Sequence, residues 1–230
     1  MKWTAIVVAA LPALSGCATA PEQPSSAQDV AAMGRAGEML WAVEAESGAR
    51  LGSATAYGPG RLLASASAVE NWVGHRLQVR QGTTVLPVSE MRFAVSQNFA
   101  LLHVQAPNIE RPSVSARPSA HTRLAMAGSN AGNVFTGVGN VVPVSSSMAG
   151  IPGINDVVVA ELPAARGFSG APVVTEDGRL VGIVSNLLHR QYFDTPIPGT
   201  VAPGTSIPRR AMTVLPIDII QRTMLTEGLN

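Results

Sequence analysis

The segment Gly167-Phe168-Ser169-Gly170 is the part of the chain whose residue types best suit a chemical reaction. A glycine on each side of the Phe-Ser pair lets the backbone turn sharply, so the hydroxyl of Ser169 can serve as a nucleophile for acyl transfer. A serine hydroxyl titrates far above neutral pH and needs an adjacent base before it can attack a carbonyl group. Whether Ser169 is reactive therefore depends on a base elsewhere in the chain.

Candidate bases are few. The only lysine is Lys2, close to the start of the chain, so a serine–lysine pair is excluded once a leader is removed. We expect the histidines to be surface or partner-facing residues rather than a base for Ser169; they are His75, His103, His121 and His189.

Metal ions, cofactors and nucleic acids are not expected as partners. No repeated ligand spacing links the acidic residues that could suggest a metal site: Asp156, Glu161, Asp194 and Asp218. A nucleotide-binding glycine-rich loop follows a parallel strand and opens a helix. The glycine-rich stretch of this chain does not open a helix in this way, so nucleotide binding is not expected; its glycines are Gly128, Gly132, Gly137 and Gly139. The net charge of +1 gives no basic surface for nucleic acid. The single cysteine excludes an intramolecular disulfide and a cysteine-rich zinc site.

Short apolar runs separated by turn residues fill the chain from Leu40 onward. Their roughly ten-residue spacing predicts an all-β domain, either a sandwich or a pair of barrels. A terminal helix is predicted over Leu215–Leu225, between Pro216 and Gly228, and Asp177-Gly178 predicts a hairpin turn. The predicted strands are Leu40–Val43, Gly52–Tyr57, Arg61–Ser65, Leu77–Arg80, Val85–Val88, Phe99–Val104, Leu124–Ala127, Val141–Val144, Val157–Glu161, Ala171–Thr175 and Leu180–Val184.

The first seventeen residues resemble a bacterial lipoprotein leader. The apolar run from Thr4 to Leu14 follows Lys2 and is too short for a membrane span, which needs about 20 residues. The following Leu14-Ser15-Gly16-Cys17 resembles a lipobox, which implies cleavage before Cys17 and lipidation of its thiol. Ala18 then implies sorting to the outer membrane, facing the periplasm, in a Gram-negative source. The alternative is a simple secretory signal with a free cysteine.

These features predict three parts of the chain. They are a lipoprotein signal peptide over residues 1–16, lipidated Cys17 with a flexible tether over residues 17–39, and one folded domain over residues 40–230. The segment from Ala18 to about Asp29 is rich in Pro, Ser and Gln, which is typical of a flexible spacer. Val30–Trp41 is compatible with a short helix or a lead-in strand.

The motif Gly167–Pro172, a hairpin and the strand Leu180–Val184 together resemble the trypsin-like serine proteases. The bacterial HtrA-type branch, whose motif is GNSGGP, is the most similar. Earlier segments match in order: Gly60–Asn71 resembles the family's GYILTNAHVVEN, Gln97–Val104 its xDLALLKV, Leu124–Ser129 its AIGNP strand, and both Ile207-Pro208 and Val214–Asp218 its AIP segment. The resemblance implies two six-stranded antiparallel β-barrels with a short C-terminal helix.

The resemblance also implies roles for the residues of the loop. Ser169 falls on the position of the nucleophile, and the N–H groups of Gly167 and Ser169 would form the oxyanion hole. Arg166 and Phe168 would border the mouth of the cleft. Phe168 would narrow that mouth or, alternatively, pack over the seam between the barrels.

Two of the family's three catalytic positions are altered. The family's histidine falls on Ser67 and its aspartate on Asn98, and loss of the base costs about a millionfold in subtilisin. We therefore expect a membrane-anchored periplasmic pseudoprotease that acts as a binding or accessory subunit of an envelope complex. Its partner would be another envelope protein or an extended peptide, which would add along an exposed strand edge of the cleft. The other contact surfaces would be Ser145–Ile154 and Asp194–Pro208. The alternatives are an active endopeptidase that uses Ser169 with an unidentified base, and an inert structural lipoprotein.

Overall fold

The computed structural model describes residues 26–130, 132–144, 154–187 and 209–229. Their strands form two closed antiparallel barrels of six strands each, which confirms the predicted architecture. The first barrel has the order β1-β2-β3-β6-β5-β4, with β1 (Leu40–Ala45), β2 (Arg50–Gly58), β3 (Arg61–Ala64), β4 (Leu77–Gln81), β5 (Thr84–Phe93) and β6 (Ala100–Val104). The second has the order β10-β11-β12-β9-β8-β7, with β7 (Arg123–Asn130), β8 (Asn133–Val141), β9 (Val158–Pro163), β10 (Pro172–Thr175), β11 (Leu180–Leu187) and β12 (Arg209–Pro216).

Helices are short in the described residues. They are α1 (Ala27–Met39), α2 (Ala66–Val69) and α3 (Ile217–Glu227), with 3₁₀ turns at Glu70–Trp72 and Ile154–Asp156. The predicted terminal helix is confirmed, but it starts at Ile217 because the preceding residues form β12, which pairs with β9 and β11. Gly228, with φ of +67°, ends it in the left-handed conformation. No helix among the described residues has the length and hydropathy to cross a membrane.

A hydrophobic cluster between the barrels holds them together. It contains Leu63 and Leu101 from the first barrel, Leu180 and Ile183 from the second, and Ile220 from α3, all fully buried. Burying each such side chain is worth about 1.5–3 kcal/mol relative to leaving it exposed. The loops at the seam between the barrels are therefore held on a rigid base.

Helix α1 packs on the outside of the second barrel, against β7, β8 and β10. Its buried face consists of small residues, Ala32 and Ala36, which let the helix approach Ala125 and Ala127 on β7 closely. Residues 27–39 are therefore helical and packed. The predicted boundary at residue 40, with a flexible tether before it, was wrong for this stretch.

The first turn of α1 is fixed by Asp29. Ser26 and Asp29 form a reciprocal capping box, in which each backbone N–H donates to the other's side chain. Arg123 on β7 donates two hydrogen bonds to the same carboxylate, at 3.1 and 3.0 Å. The hydrogen bond from Arg123 is the main reason that the pKa of Asp29 lies below its ordinary value, although burial opposes it.

The strand predicted over Val141–Val144 was misplaced, because β8 covers Asn133–Val141. Gly137 and Gly139 of the glycine-rich stretch lie in this strand. A Cβ on Gly139 would lie 1.6 Å from the carbonyl oxygen of Glu161 on β9, so glycine allows the two strands to approach.

Several predicted features lie outside the described residues. They are the leader with Cys17, His189, the contact surface Asp194–Pro208, and the contact surface Ser145–Ile154 apart from Ile154 itself.

Candidate active site

The loop that carries Ser169 begins with a tight turn. Phe168 N donates to Ala165 O at 3.2 Å, and Gly167 has φ of +95°, the pattern of a type II turn with glycine at the third position. A Cβ on Gly167 would also lie 2.7 Å from the carbonyl oxygen of Ser129. Glycine is therefore required at 167 both by the backbone conformation and by the lack of space.

The first barrel holds this loop from behind through Ser53, which is fully buried on β2. The N–H of Ser53 donates to Ser169 O at 2.9 Å, and its Oγ donates to Gly167 O at 2.8 Å. Gly170 N donates to Val184 O at 2.7 Å. Gly170 has φ of +88°, and a Cβ there would lie 2.0 Å from Ser53 O. The loop thus has one conformation, set by bonds to both barrels.

Two backbone donors in the loop remain free. Within the described residues, the N–H groups of Gly167 and Ser169 have no hydrogen-bond acceptor. Phe168 O accepts from Ala171 N at 2.9 Å, and the N–H and C=O groups of a trans peptide point in opposite directions. The N–H of Ser169 therefore points away from Ala171. The predicted oxyanion hole requires two free N–H donors from residues separated by one residue, as Gly167 and Ser169 are by Phe168.

A hydrogen-bond chain connects the loop to a buried carboxylate in the first barrel. Ser129 N donates to Ser53 Oγ at 3.1 Å, and Arg50 donates to Ser129 Oγ at 3.1 Å. Arg50 also pairs with Glu44 at 3.0 Å, and Arg80 pairs with the same carboxylate at 3.1 Å. We call these five residues the Glu44 network. It links the first barrel to the back of the Ser169 loop.

Glu44 is only 2% exposed, and it stays ionised because of its neighbours. Burial by itself would raise the pKa of this carboxyl. Hydrogen bonds from Arg80 and Gln78, together with the charges of Arg50 and Arg80, outweigh burial and hold the pKa below its ordinary value. The network is therefore charged and fully paired at neutral pH.

Ser67 and Asn98 lie next to each other. Asn98 Oδ1 accepts from the N–H of Ser67 at 3.0 Å, and Asn98 Nδ2 donates to Ser185 Oγ at 3.2 Å. The hydroxyls of Ser65 and Ser67 are 2.9 Å apart. None of these side chains can accept a proton at neutral pH. Within the described residues, Ser169 Oγ has no hydrogen-bond partner.

The turn before Asn98 is fixed by the C-terminal helix. The carboxylate of Glu227 accepts from Val95 N at 2.7 Å, from Ser96 N at 3.1 Å and from Ser96 Oγ at 2.6 Å. The hydrogen bond from the Ser96 hydroxyl is the main cause of a lowered pKa for Glu227. α3 therefore positions the turn that presents Asn98.

No described histidine is hydrogen-bonded to Ser169; those described are His75, His103 and His121. His103 on β6 pairs with Arg61 on β3. At the other end of β6, Ala100 pairs with Ala64, which directly precedes the Ser65–Ser67 segment. Three residues of strand, about 10 Å, separate His103 from that end. His75 and His121 are exposed.

Arg166 is exposed beside the loop, whereas the side chain of Phe168 is buried and does not border the cleft. Its side chain is 2% exposed and belongs to the core of the second barrel, 6.3 Å from the ring of Phe135 between centroids. The ring occupies the space next to Gly128, where a Cβ would lie 2.5 Å away. The prediction that Phe168 narrows the mouth was wrong. The ring does pack, but in the core of the second barrel rather than over the seam between the barrels, where burial of its apolar surface is favourable.

Sequence reasoning missed the residues that hold the site in place: Ser53, Ser65, Ser129, Ser185, Arg50, Glu44 and Glu227. Most of these residues bond to partners far away in the chain, such as Gly167 for Ser53 and Asn98 for Ser185. Local spacing therefore gave no signal for them.

No family model and no curated protein sequence matches the chain. Its fold, however, is similar to that of several solved proteases. The active form of the Rv3671c protease from M. tuberculosis is 16% identical, with a TM-score of 0.65 over 89% of this chain and 87% of that one. The serine endoprotease from Yersinia pestis is 16% identical, with a TM-score of 0.66 over 89% and 67%. The HtrA-type protease AlgW, solved with a decapeptide, is 13% identical, with a TM-score of 0.64 over 85% and 66%.

The chain has the trypsin-like fold. This confirms the predicted resemblance at the level of architecture. It spans about two thirds of the length of AlgW and of the Yersinia endoprotease. In this trypsin-like fold, Ser67 and Asn98 come from the first barrel, and Ser169 and Ser185 from the second. Within the described ranges, no three metal-ligating side chains gather at one point.

Proposed function

We propose that the chain is a pseudoprotease, which binds a polypeptide in the cleft between its barrels without cleaving it. The observation that carries this proposal is the cluster of Ser67, Asn98 and Ser185, which provides only hydroxyl and amide groups beside the Ser169 loop. A hydroxyl does not accept a proton at neutral pH, and an amide cannot stabilise an imidazolium. Among the described residues, Ser169 therefore has no neighbouring base that could activate it as a nucleophile.

The ordered loop supports binding rather than an inert cleft. Ser53 and the Glu44 network fix its backbone, and the N–H groups of Gly167 and Ser169 are left free. Such donors bind an oxygen of a ligand without any reaction. AlgW, which shares the fold, was solved with a decapeptide. An extended peptide added along a strand edge is the ligand that best fits a cleft of this kind.

We further propose that Cys17 is lipidated and that the domain faces the periplasm from the outer membrane, as an accessory subunit of an envelope complex. The leader pattern supports this location. Because α1 begins at Ala27, few residues separate Cys17 from the folded domain, so the domain would stay close to the membrane surface.

A serine-directed fluorophosphonate tests the proposal. The full chain in detergent is incubated with the probe, beside an active trypsin-like protease as a positive control. We expect no labelling of Ser169, together with retention of peptides by the immobilised protein. Stoichiometric labelling, with peptide cleavage that disappears in Ser169→Ala, would establish the active endopeptidase instead. Absence of both labelling and peptide retention would establish the inert structural protein.

A further inference from the structure

We infer that the Ser169 loop binds the free C-terminal carboxylate of a polypeptide, rather than an internal peptide bond. The inference rests on the proposed function, because it names the ligand of the same cleft. It follows from three properties of the site, which concern its backbone donors, the hydroxyl of Ser169 and the local charge.

The backbone donors match a carboxylate. The free N–H groups belong to Gly167 and Ser169, which are separated only by Phe168 in the turn. The carbonyl groups of these three residues already accept hydrogen bonds from Ser53 and Ala171. Neighbouring backbone N–H groups in such turns form anion-binding concavities. Hydrogen bonds to a charged acceptor are roughly twice as strong as those to a neutral carbonyl. The capture of a C-terminal carboxylate by backbone N–H groups is a recurring mode of peptide recognition.

The hydroxyl of Ser169 adds a third donor. In a working serine protease, the adjacent base accepts the proton of this hydroxyl. Here no described side chain accepts it, so the proton is available to a ligand. The altered residues Ser67 and Asn98 thus turn Ser169 from a nucleophile into a hydrogen-bond donor. A carboxylate has two oxygens, which can accept from the backbone and from this hydroxyl at once.

The local charge favours an anion. Ser67 and Asn98 are both neutral, and an aspartate in place of Asn98 would repel a carboxylate. Among the described residues, Glu44 is the carboxylate that hydrogen bonds link to the loop, and it is held between two arginines. Arg166 is exposed beside the loop, and no described acidic residue pairs with it. An internal peptide bond, being neutral, would gain less from this environment than a carboxylate would.

Two peptide libraries test the inference. Random decapeptides are synthesised once with free C-termini and once amidated, and each library is passed over the immobilised full chain. We expect the free-acid peptides to be enriched at least about tenfold, as for a hydrogen bond to a charged group. Ser169→Ala and Arg166→Gln should each reduce that preference. Arg222→Gln, on the exposed face of α3, serves as the matched control and should leave it unchanged.

The outcomes separate the inference from the proposed function. Equal retention of both libraries would overturn carboxylate recognition and leave a peptide-binding pseudoprotease. Retention of neither would overturn both the proposed function and this inference. A free-acid preference that survives unchanged in Ser169→Ala and in Arg166→Gln would place the carboxylate elsewhere and overturn the inference.

Discussion

The side-chain oxygen of Asn98 accepts a hydrogen bond from the backbone N–H of Ser67 at 3.0 Å. This bond fixes residue 67 relative to residue 98 without either side chain being charged. The amide nitrogen of Asn98 is in turn bonded to Ser185 on the second barrel. The hydrogen bonds that would orient a side chain at position 67 are therefore present, although neither Ser67 nor Asn98 can act as the base.

Restoring the two altered positions should make Ser169 reactive. In the double variant Ser67→His, Asn98→Asp, the carboxylate can keep the bond to the N–H of residue 67 and orient the new imidazole. We expect the rate of fluorophosphonate labelling to rise at least about 100-fold, as general-base catalysis supplies. Adding Ser169→Ala to the double variant must abolish the signal. A folded double variant with no labelling would show that the loop is not arranged for catalysis.

Ser53 should contribute more to stability than its size suggests. Ser53→Ala removes the hydroxyl that donates to Gly167 O and accepts from Ser129 N, and leaves two enclosed backbone groups without that partner. We expect a loss of about 2–4 kcal/mol in the free energy of unfolding, measured by urea denaturation. Ser89→Ala removes an exposed serine that also donates to a carbonyl, and should change stability by less than about 0.5 kcal/mol. Equal effects would contradict this account of the loop.

Gly170 and Gly48 provide a matched pair for the backbone of the loop. Both have positive φ, +88° and +85°, but a Cβ at Gly170 would meet Ser53 O at 2.0 Å, whereas nothing lies within 4 Å at Gly48. Gly48→Ala should cost about 1–2 kcal/mol from backbone strain alone. Gly170→Ala should cost about 1–3 kcal/mol more because of the close contact. Thermal or chemical unfolding of both variants checks the difference, and similar losses would contradict it.

The Asp29–Arg123 pair should make stability depend on pH in the acid range. The folded pKa of Asp29 is lowered below 3.8, so its contribution is fully present above that value and is lost as the pH falls through the folded pKa. The free energy of unfolding of the unaltered protein should therefore fall below about pH 4. In Asp29→Asn this decline should be shallower. Other carboxylates with lowered pKa values, such as Glu44, contribute equally to both proteins, so the difference isolates Asp29. Parallel curves would contradict the assignment.

The proposed lipidation of the chain would depend on Cys17. Cells that express the chain and are fed labelled palmitate should incorporate the label into the protein and retain it in the membrane fraction. Cys17→Ser should abolish incorporation and release the protein to the soluble fraction. Unchanged membrane retention in this variant, without label, would instead indicate a different means of attachment.

The strand content and the position of the Ser169 loop could be predicted because both have local signals. Regular turn residues mark the strands, and the glycines at 167 and 170 mark the loop. β12 was missed because its pairing with β9 and β11 is a tertiary property, and its end at Pro216 was assigned to the following helix. α1 gave a weak signal because its buried face consists of alanines rather than large apolar residues.

The residues that hold the Ser169 loop in place could not be predicted, because they are bonded to partners far away in the sequence. Arg50 and Ser129 are 79 positions apart, and Ser53 and Gly167 are 114 positions apart. Nothing in either neighbourhood of the sequence indicates such a pair. Phe168 could not be placed from the sequence for the same reason. Its ring is buried in the second barrel because Gly128, 40 positions earlier in the chain, leaves space for it.

The bidentate contact between Asp29 and Arg123 has a mechanical consequence. Residues 1–25 join the folded domain at the first turn of α1, and that turn is attached to β7 of the second barrel. Tension applied to the N-terminus therefore enters the second barrel at Arg123 before it reaches β1 and the first barrel. The Asp29–Arg123 contact, together with the packing of Ala32 and Ala36 on β7, therefore has to break before α1 can be peeled from the second barrel.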